Sequence, residues 1–282
     1  MAPNEQTATP PEEKPAVLKP RSPGVSTQLA AEMSRPTKIG VTIITPLREF
    51  RGPEDLPPQI GRALAELVKR EDAQQFKWEF MAACGGLCSA QNRAVHEFLK
   101  TDHKWLLRWD RDLHDQHGRE ADAILRLISH KHPVVGGLYC KRQKRPTWVA
   151  TFMPAAKMQE NDKLQCAELG GGFKLYHRQF FEEIRRIFGT EPFERNGLNP
   201  GAKAEPSIMY RERDSGEMIA GFHQIVVESG DLLSEDYFLD YLARCAGVGI
   251  FADTAVRLRH VEPDGKSYPE GDWPPIQAED AP

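Results

Sequence analysis

Asp110 and Asp112 stand two residues apart, directly after the apolar run Trp105-Leu106-Leu107-Arg108-Trp109. On an extended backbone, side chains two apart point the same way. Two carboxylates brought to one point repel each other unless a cation lies between them or one is protonated. Hard oxygen donors of this kind suit Mn2+ or Mg2+, which take their remaining ligands from phosphate and water. The residues alone leave a second reading open, a strand-end turn in which aspartate is common. His260, late in the chain, is a further candidate ligand, while His114, Asp115 and His117 follow the aspartates as rivals expected to line a loop. Glu235-Asp236 follows Ser234 where acidic residues suit the first turn of a helix.

These groups must be positioned by the elements around them. Lys38 to Thr45, ending at Pro46, is a β-branched run that predicts a buried strand. Gln59 to Lys69 predicts a helix with Ile60, Leu64, Leu67 and Val68 on one face. Trp78 to Ala83 reads as a strand, and Ala90 to Leu99 as a helix with Ser89 as its N-cap and Ala94, Val95 and Phe98 inward. Trp105 to Trp109 is a third strand, with both tryptophans in the core. Ala121 to Ser129 is a helix, and Pro133 to Tyr139 a fourth strand. This alternation implies right-handed crossovers and a largely parallel sheet, with ligands beyond the carboxyl ends of its strands. That rule selects Pro46 to Arg48, Ala83 to Ser89 and Asp110 to Asp112. The second half is less regular: strands are expected near Thr147 to Phe152, Ile219 to Glu228 and Val248 to Ala252, with helices at Arg178 to Ile187 and Glu235 to Cys245.

The domain reading is a disordered leader over 1–36, a globular body over 37–262 and a Pro-rich acidic tail over 263–282, in a chain of 282 residues with 40% apolar content. A formal net charge of -4 gives no overall footprint for nucleic acid, the run Lys141-Arg142-Gln143-Lys144-Arg145 being a local exception. Five cysteines, with no second pair to match Cys84 and Cys88, argue against a disulfide framework and a structural zinc. With neither a signal-peptide core nor an apolar stretch of about 18 residues, the expected location is the cytoplasm.

The ordered set of segments resembles the GT-A glycosyltransferases, near the family-2 type and similar enzymes of bacteria and phages. It comprises Thr45-Pro46, the helix start Ser89-Ala90-Gln91-Asn92-Arg93, the DxD segment ending at Asp112, Gly136-Gly137-Leu138-Tyr139, Gly170-Gly171-Gly172-Phe173, Ser234-Glu235-Asp236-Tyr237-Phe238 and His260. It covers roughly residues 38 to 261. Two positions depart from it: relatives often carry Arg-Asn where Gln91-Asn92 stands, and a small residue where Arg111 stands. The resemblance implies a single α/β domain of GT-A-like (Rossmann-like) form, with a mixed, mostly parallel sheet flanked by helices. It implies a hexosyltransferase-like activity, with a nucleotide-diphosphate sugar as donor. Thr45, Pro46, Arg48, Ser89, Asn92, Arg93, Asp110 and Arg111 would bind the nucleotide, and Asp110, Asp112 and His260 the metal. Asp236, beside Glu235, would take the acceptor's proton, with inversion at the anomeric carbon; the sequence leaves a retaining course open.

The acceptor is a hydroxyl whose bearer the sequence does not name: glycan, lipid, protein, small molecule or a hydroxymethylated phage DNA base. Two alternatives remain beside this reading. A nucleotidyltransferase also uses paired carboxylates and a divalent metal, but Gly52 with Arg48 and Arg51 is a poor phosphate loop. A non-catalytic glycan- or nucleotide-binding module would have no need of Asp110, Asp112 and Asp236.

Overall fold

A computed structural model of the chain describes residues 38–143, 146–154, 156–189, 208–212, 215–228 and 231–276. The predicted leader lies outside the described residues, as does the end of the predicted tail. The first half alternates strand and helix: β1 (Ile39–Leu47), α1 (Pro58–Lys69), β2 (Phe76–Cys84), α2 (Leu87–Lys100), β3 (Trp105–Trp109), β4 (Leu113–His114), α3 (Glu120–Ser129) and β5 (Val134–Tyr139). The second half contributes β6 (Ala150–Phe152), β7 (Lys163–Leu169), β8 (Phe173–His177), α4 (Arg178–Phe188), the short strands β9 (Met209–Arg211), β10 (Met218–Ala220), β11 (Val226–Glu228) and β12 (Asp231–Leu233), then α5 (Glu235–Cys245), β13 (Ile250–Val261) and β14 (Ser267–Tyr268).

Ten strands form one sheet, with the path β2-β1-β3-β8-β5-β13-β7-β6 and with β4 and β14 paired to β13. The fold is α/β and Rossmann-like: β2, β1, β3, β5, β13 and β6 run one way, and only β8 and β7 on that path run the other. Alternation along each strand sorts the core into two layers. Val41, Ile43, Trp105, Leu107 and Trp109 pack with Ile60 and Leu67 of α1 and Ile124 and Leu127 of α3. Ile44, Leu106 and Tyr176 pack with Val95 and Phe98 of α2, Phe181 of α4 and Leu239 of α5. The crossover through α1 therefore runs from β1 out to β2 on one face, and the crossover through α2 returns from β2 past β1 to β3 on the other. The order β2-β1-β3 makes the carboxyl ends of β1 and β3 a topological switch point, where such sheets open a crevice.

Several expectations are corrected. β8, which the sequence reading did not anticipate, lies antiparallel between β3 and β5, so these two do not touch. β1 continues through Pro46 to Leu47; its pairing with β3 ends at Ile44, so beyond that point a residue lacking an N–H is accommodated. Val68 is 68% exposed, and Gln59 and Ala63 take the inward positions on α1 instead. Ser89 is not the N-cap of α2. The helix starts after Gly86, and the Ser89 hydroxyl donates to the Gly86 carbonyl at 3.0 Å. Trp273 of the tail stacks on Trp148 at 5.4 Å between ring centroids, and the Trp148 indole donates to Pro275 O at 3.3 Å. Among the described residues no helix is long and apolar enough to cross a membrane.

Candidate functional site at the carboxyl edge of the sheet

The chain leaves β3 in a tight turn in which Leu113 N donates to Asp110 O at 3.0 Å. Three backbone ties hold this turn. Asp110 N donates to Gly172 O at 2.7 Å, Val261 N donates to Asp112 O at 2.8 Å, and the buried Gln59 amide of α1 donates to Arg111 O. The last stretch of β13 pairs with β4 so that His260 lies opposite Leu113. Asp110, Asp112 and His260 are thereby gathered at one edge, together with the start of β8 and the end of β5.

Arg108 organises the acidic side of this edge. It lies on β3 with Leu106, on the face covered by α5, and is almost fully buried. Its guanidinium pairs with Asp236, lies 3.5 Å from Asp110 Oδ1 and 3.9 Å from Glu235 Oε1. The second Asp236 oxygen accepts from Gly171 N at 3.1 Å. One position along, Lys174 of β8 stands opposite Arg108 in register and pairs with Asp240, one turn after Asp236 on α5. Two buried cations on neighbouring strands thus hold two carboxylates spaced four apart on one helix, fixing the first turn of α5 at the site. Gly171 is required by close approach, since a Cβ there would strike both the Arg108 guanidinium and the Asp236 carboxylate. All three glycines of the run 170–172 are buried, so this segment is packed and not a loose loop.

The ionisation pattern follows from these contacts. Burial works against ionisation of Asp236, but Arg108, with His223, Lys174 and the Gly171 N–H, outweighs it and holds this carboxyl below its usual range. Glu235 shifts the other way, raised by burial and by the charge of Asp236. Asp110 is likewise raised by burial, against the pull of Arg108. His260 Nδ1 lies 2.8 Å from Cys140 O and must donate there, which leaves the lone pair on Nε2. Burial and the charge of Arg142 push His260 down to about 4, so the ring is neutral.

The donor types fit a hard divalent cation: two carboxylates and a neutral imidazole with its tautomer set by a backbone carbonyl, as metal-bound histidines usually have. Asp110 Oδ1 is buried without a hydrogen-bond partner, an oxygen that a ligand could satisfy. In this conformation, however, Asp112 pairs with Arg142, which also lies 3.5 Å from Glu262, and the three groups do not close to within 4.8 Å of one another. Among the described residues the one trio that does is His96, Glu97 and Glu217. There Lys100 lies 3.0 Å from Glu97 and 3.2 Å from Glu217, and so supplies the positive charge itself.

The remaining predicted residues are distributed differently. Thr45 is buried at the switch point with its hydroxyl unpartnered, Pro46 is half-buried beside it, and Arg48 and Arg111 are exposed. Asn92 does not face the aspartates: its amide donates to His223 O at 3.0 Å and accepts from His223 N at 2.7 Å. Arg93 is engaged by Glu212 and by Ser215 at 2.8 Å. The Asp115 carboxylate accepts from the backbone of His117 at 2.8 Å and Arg119 at 3.1 Å, the loop role expected of it.

No family model and no curated protein matches the chain. Among solved structures it is similar to one described as mannose-1-phosphate geranyltransferase from Thermus thermophilus, at 13% identity and a TM-score of 0.34 over 54% of this chain. The chain spans 61% of that protein's length.

Arg108, Tyr139, Arg142, Lys174, Asp240 and His223 belong to the site or its support and were not singled out as candidates from the sequence, Arg142 figuring only within its basic run. Arg108 and Lys174 did carry a signal, each being a lone cation inside an apolar strand. The buried histidines have a thermodynamic consequence. His223, His132 and His260 are held at about 3, about 4 and about 4 by burial, below the ordinary value of 6.5. The unfolded chain therefore takes up protons that the folded chain refuses. The histidine contribution to stability is complete above about pH 6.5 and falls as pH drops toward 4, at about 1.4 kcal/mol per histidine for each tenfold loss of proton affinity, opposed in part by Asp240, which burial raises to about 6. Urea unfolding at pH 7.5, 6 and 5 checks this; a midpoint that rises on acidification would contradict it.

Proposed function

We propose that this chain is a metal-dependent glycosyltransferase, moving a sugar from a nucleotide-diphosphate donor to a hydroxyl acceptor. The observation that supports it is the convergence of Asp110, Asp112 and His260 on one side of Arg108 and of Glu235 and Asp236 on the other, at the switch point of the sheet. Asp112 and His260 would hold the cation, with Asp110 turned toward the metal or the ribose. When bound, the metal supplies positive charge for the departing diphosphate. Thr45 and Pro46 would border the nucleotide.

The reaction joins the acceptor oxygen to the anomeric carbon while the bond from that carbon to the diphosphate oxygen breaks, the leaving group keeping the electron pair. The acceptor's proton passes to a carboxylate. Between the two candidates, the geometry favours Glu235 over the sequence's choice of Asp236. Both Asp236 oxygens are occupied by Arg108 and Gly171 N–H, and its proton affinity is lowered. Glu235 has its proton affinity raised and lies only at 3.9 Å from Arg108. A base is most effective when its pKa approaches the working pH. Asp236 then acts as the positioning partner of Arg108. Inversion follows if proton removal and sugar transfer occur in one displacement.

The test is thermal unfolding of the purified chain against UDP, GDP, CDP and ADP, with and without Mn2+. A ligand that binds only the native state raises the melting point. A nucleotide shift that requires Mn2+ and is lost in Asp112→Ala is the expected result; no shift with any nucleotide, from folded protein, overturns the reading. Arg142 bears on the same experiment. Because it competes with the cation for Asp112, Arg142→Gln is expected to tighten Mn2+ binding by about tenfold, read by calorimetry without nucleotide. Unchanged or weaker Mn2+ binding would mean that Asp112 is not a ligand or that Arg142 does not compete.

A further inference from the structure

A second opening lies between the first turn of α2 and the segment around His223. It is a cleft of about 420 Å3 lined by Cys88, Ser89, Tyr210, His223, Gln224 and Ile225, together with Asn92. Phe222, beside the cleft residue His223, packs in one core layer with Phe238 and Leu239 of α5, and the charges of Glu235 and Asp236 reach the Cys88 thiol. Its floor is His223, only 2% exposed, whose Nδ1 is buried and has no hydrogen-bond partner. An imidazole so placed is costly unless a ligand satisfies it. The ring cannot turn away freely, because Asn92 clamps the His223 backbone from both sides and the ring also engages the backbone of Glu235. Burial keeps the ring neutral, and its buried Nδ1 is open to a ligand hydroxyl, which can donate or accept.

The rest of the lining sorts by chemistry. Tyr210 offers an aromatic ring and Ile225 an apolar side chain that is 48% exposed. Gln224 spends its amide N–H on Gly221 O at 2.9 Å, leaving its oxygen to accept. The Ser89 hydroxyl proton goes to Gly86 O, leaving its oxygen to accept as well. Among the described residues no lysine or arginine lines the cleft. Arg93, in the neighbouring opening, is neutralised by Glu212. A surface of acceptors beside an apolar wall, without a cation, suits a ligand rich in hydroxyl donors with a nonpolar face. It does not suit a phosphate-bearing one. The geometry points to this cleft as the acceptor site, taking an uncharged sugar ring of which one hydroxyl bonds to His223 Nδ1 while the reacting hydroxyl keeps its proton for Glu235. The described lining offers no cation to match a nucleic acid or phospholipid acceptor.

This inference rests on the glycosyltransferase reading, but its test needs no turnover. Saturation-transfer NMR on the full chain would use neutral methyl glycosides and short oligosaccharides, their phosphorylated counterparts and a single-stranded oligonucleotide. Nitrogen-15 spectra would follow His223 Nδ1, whose resonance moves on forming a hydrogen bond. The expected result is binding by one or more neutral sugars, a shift at Nδ1, and a loss of about tenfold in affinity in His223→Leu that His223→Asn partly restores. Should the buried variants fail to fold, Ile225→Asp at the exposed rim is expected to weaken the same sugars. Binding of phosphorylated sugars or oligonucleotide in preference, neutral-sugar binding indifferent to every one of these variants, or no neutral sugar bound overturns the proposal. Nucleotide-sugar hydrolysis that persists without neutral-sugar binding would sink this inference alone; neutral-sugar binding without any nucleotide response would sink the glycosyltransferase reading.

Discussion

Glu235→Gln is expected to lower kcat by about 10²- to 10⁴-fold while leaving the unfolding midpoint almost unchanged. The side chain is largely buried, yet the nearest cation is the arm of Arg108 at 3.9 Å and the charge of Asp236 repels it, so the amide removes a proton acceptor and little binding energy. Asp236→Asn should behave differently. It withdraws the charge that Arg108 faces in a buried site, and is expected to destabilise the fold by about 3–5 kcal/mol as well as slow transfer. The two roles therefore separate in a pair of measurements, urea unfolding and transfer rate. The pH profile gives a third criterion. Glu235 binds its proton more tightly than an ordinary glutamate because of burial and Asp236. The wild-type rate should fall as pH drops through a value above 4.5, and Glu235→Gln should lack that limb. If Glu235→Gln keeps full activity and Asp236→Asn abolishes it without loss of stability, Asp236 is the base.

Much of this arrangement was legible in the sequence because the residues that position it obey local rules. The apolar runs before Asp110 and before Pro46 announce buried strands, and α5 begins and ends where Ser234 and the acidic first turn place it. What was hidden depends on pairing across distance. β8 follows three glycines and runs without a break into α4, so no turn residue marks its end. Its insertion between β3 and β5 is decided by the register that sets Lys174 against Arg108, which no local window contains. Ser89 satisfies the cap rule by type, yet Gly86 opens the helix three residues earlier. Val68 follows helical spacing but lies past the edge of the buried stripe. Asn92 and Arg93, assigned by resemblance to the nucleotide, make tertiary contacts with His223 and Glu212 that no local window announces. The pairing of Arg142 with Asp112 joins two loops about 30 positions apart, each of which alone reads as a solvated charge.

Arg108→Met is expected to be the most damaging single change to the fold, costing about 3–5 kcal/mol at neutral pH. Methionine fills much of the stem's volume, so the loss is electrostatic. Asp236 loses its partner, Asp110 loses a charge at 3.5 Å, and Glu235 one at 3.9 Å, leaving three carboxylates crowded without a cation. The folded pKa of Asp236 would then rise above its unfolded value, and Asp110 and Glu235, already raised, would rise further. A carboxylate raised in this way destabilises the fold above its folded pKa and is relieved as pH falls toward its unfolded value. The deficit of Arg108→Met relative to wild type should therefore be largest at pH 7 and shrink by pH 5, in urea unfolding at both. Adding Asp236→Asn to Arg108→Met should recover part of the loss, because it removes one unpaired charge, and the non-additivity measures the pair directly. Equal deficits at both pH values, or strict additivity, would mean that Arg108 acts only by packing. The same reasoning gives Arg108 its place in the proposed chemistry. A cation fixed beneath three acids keeps Asp236 ionised and the first turn of α5 seated, while its weaker hold on Glu235 leaves that carboxyl able to take a proton. Manganese added to Arg108→Met could neutralise Asp110 from the open side, but it cannot reach beneath the sheet edge to Asp236, so metal should restore little of the lost stability.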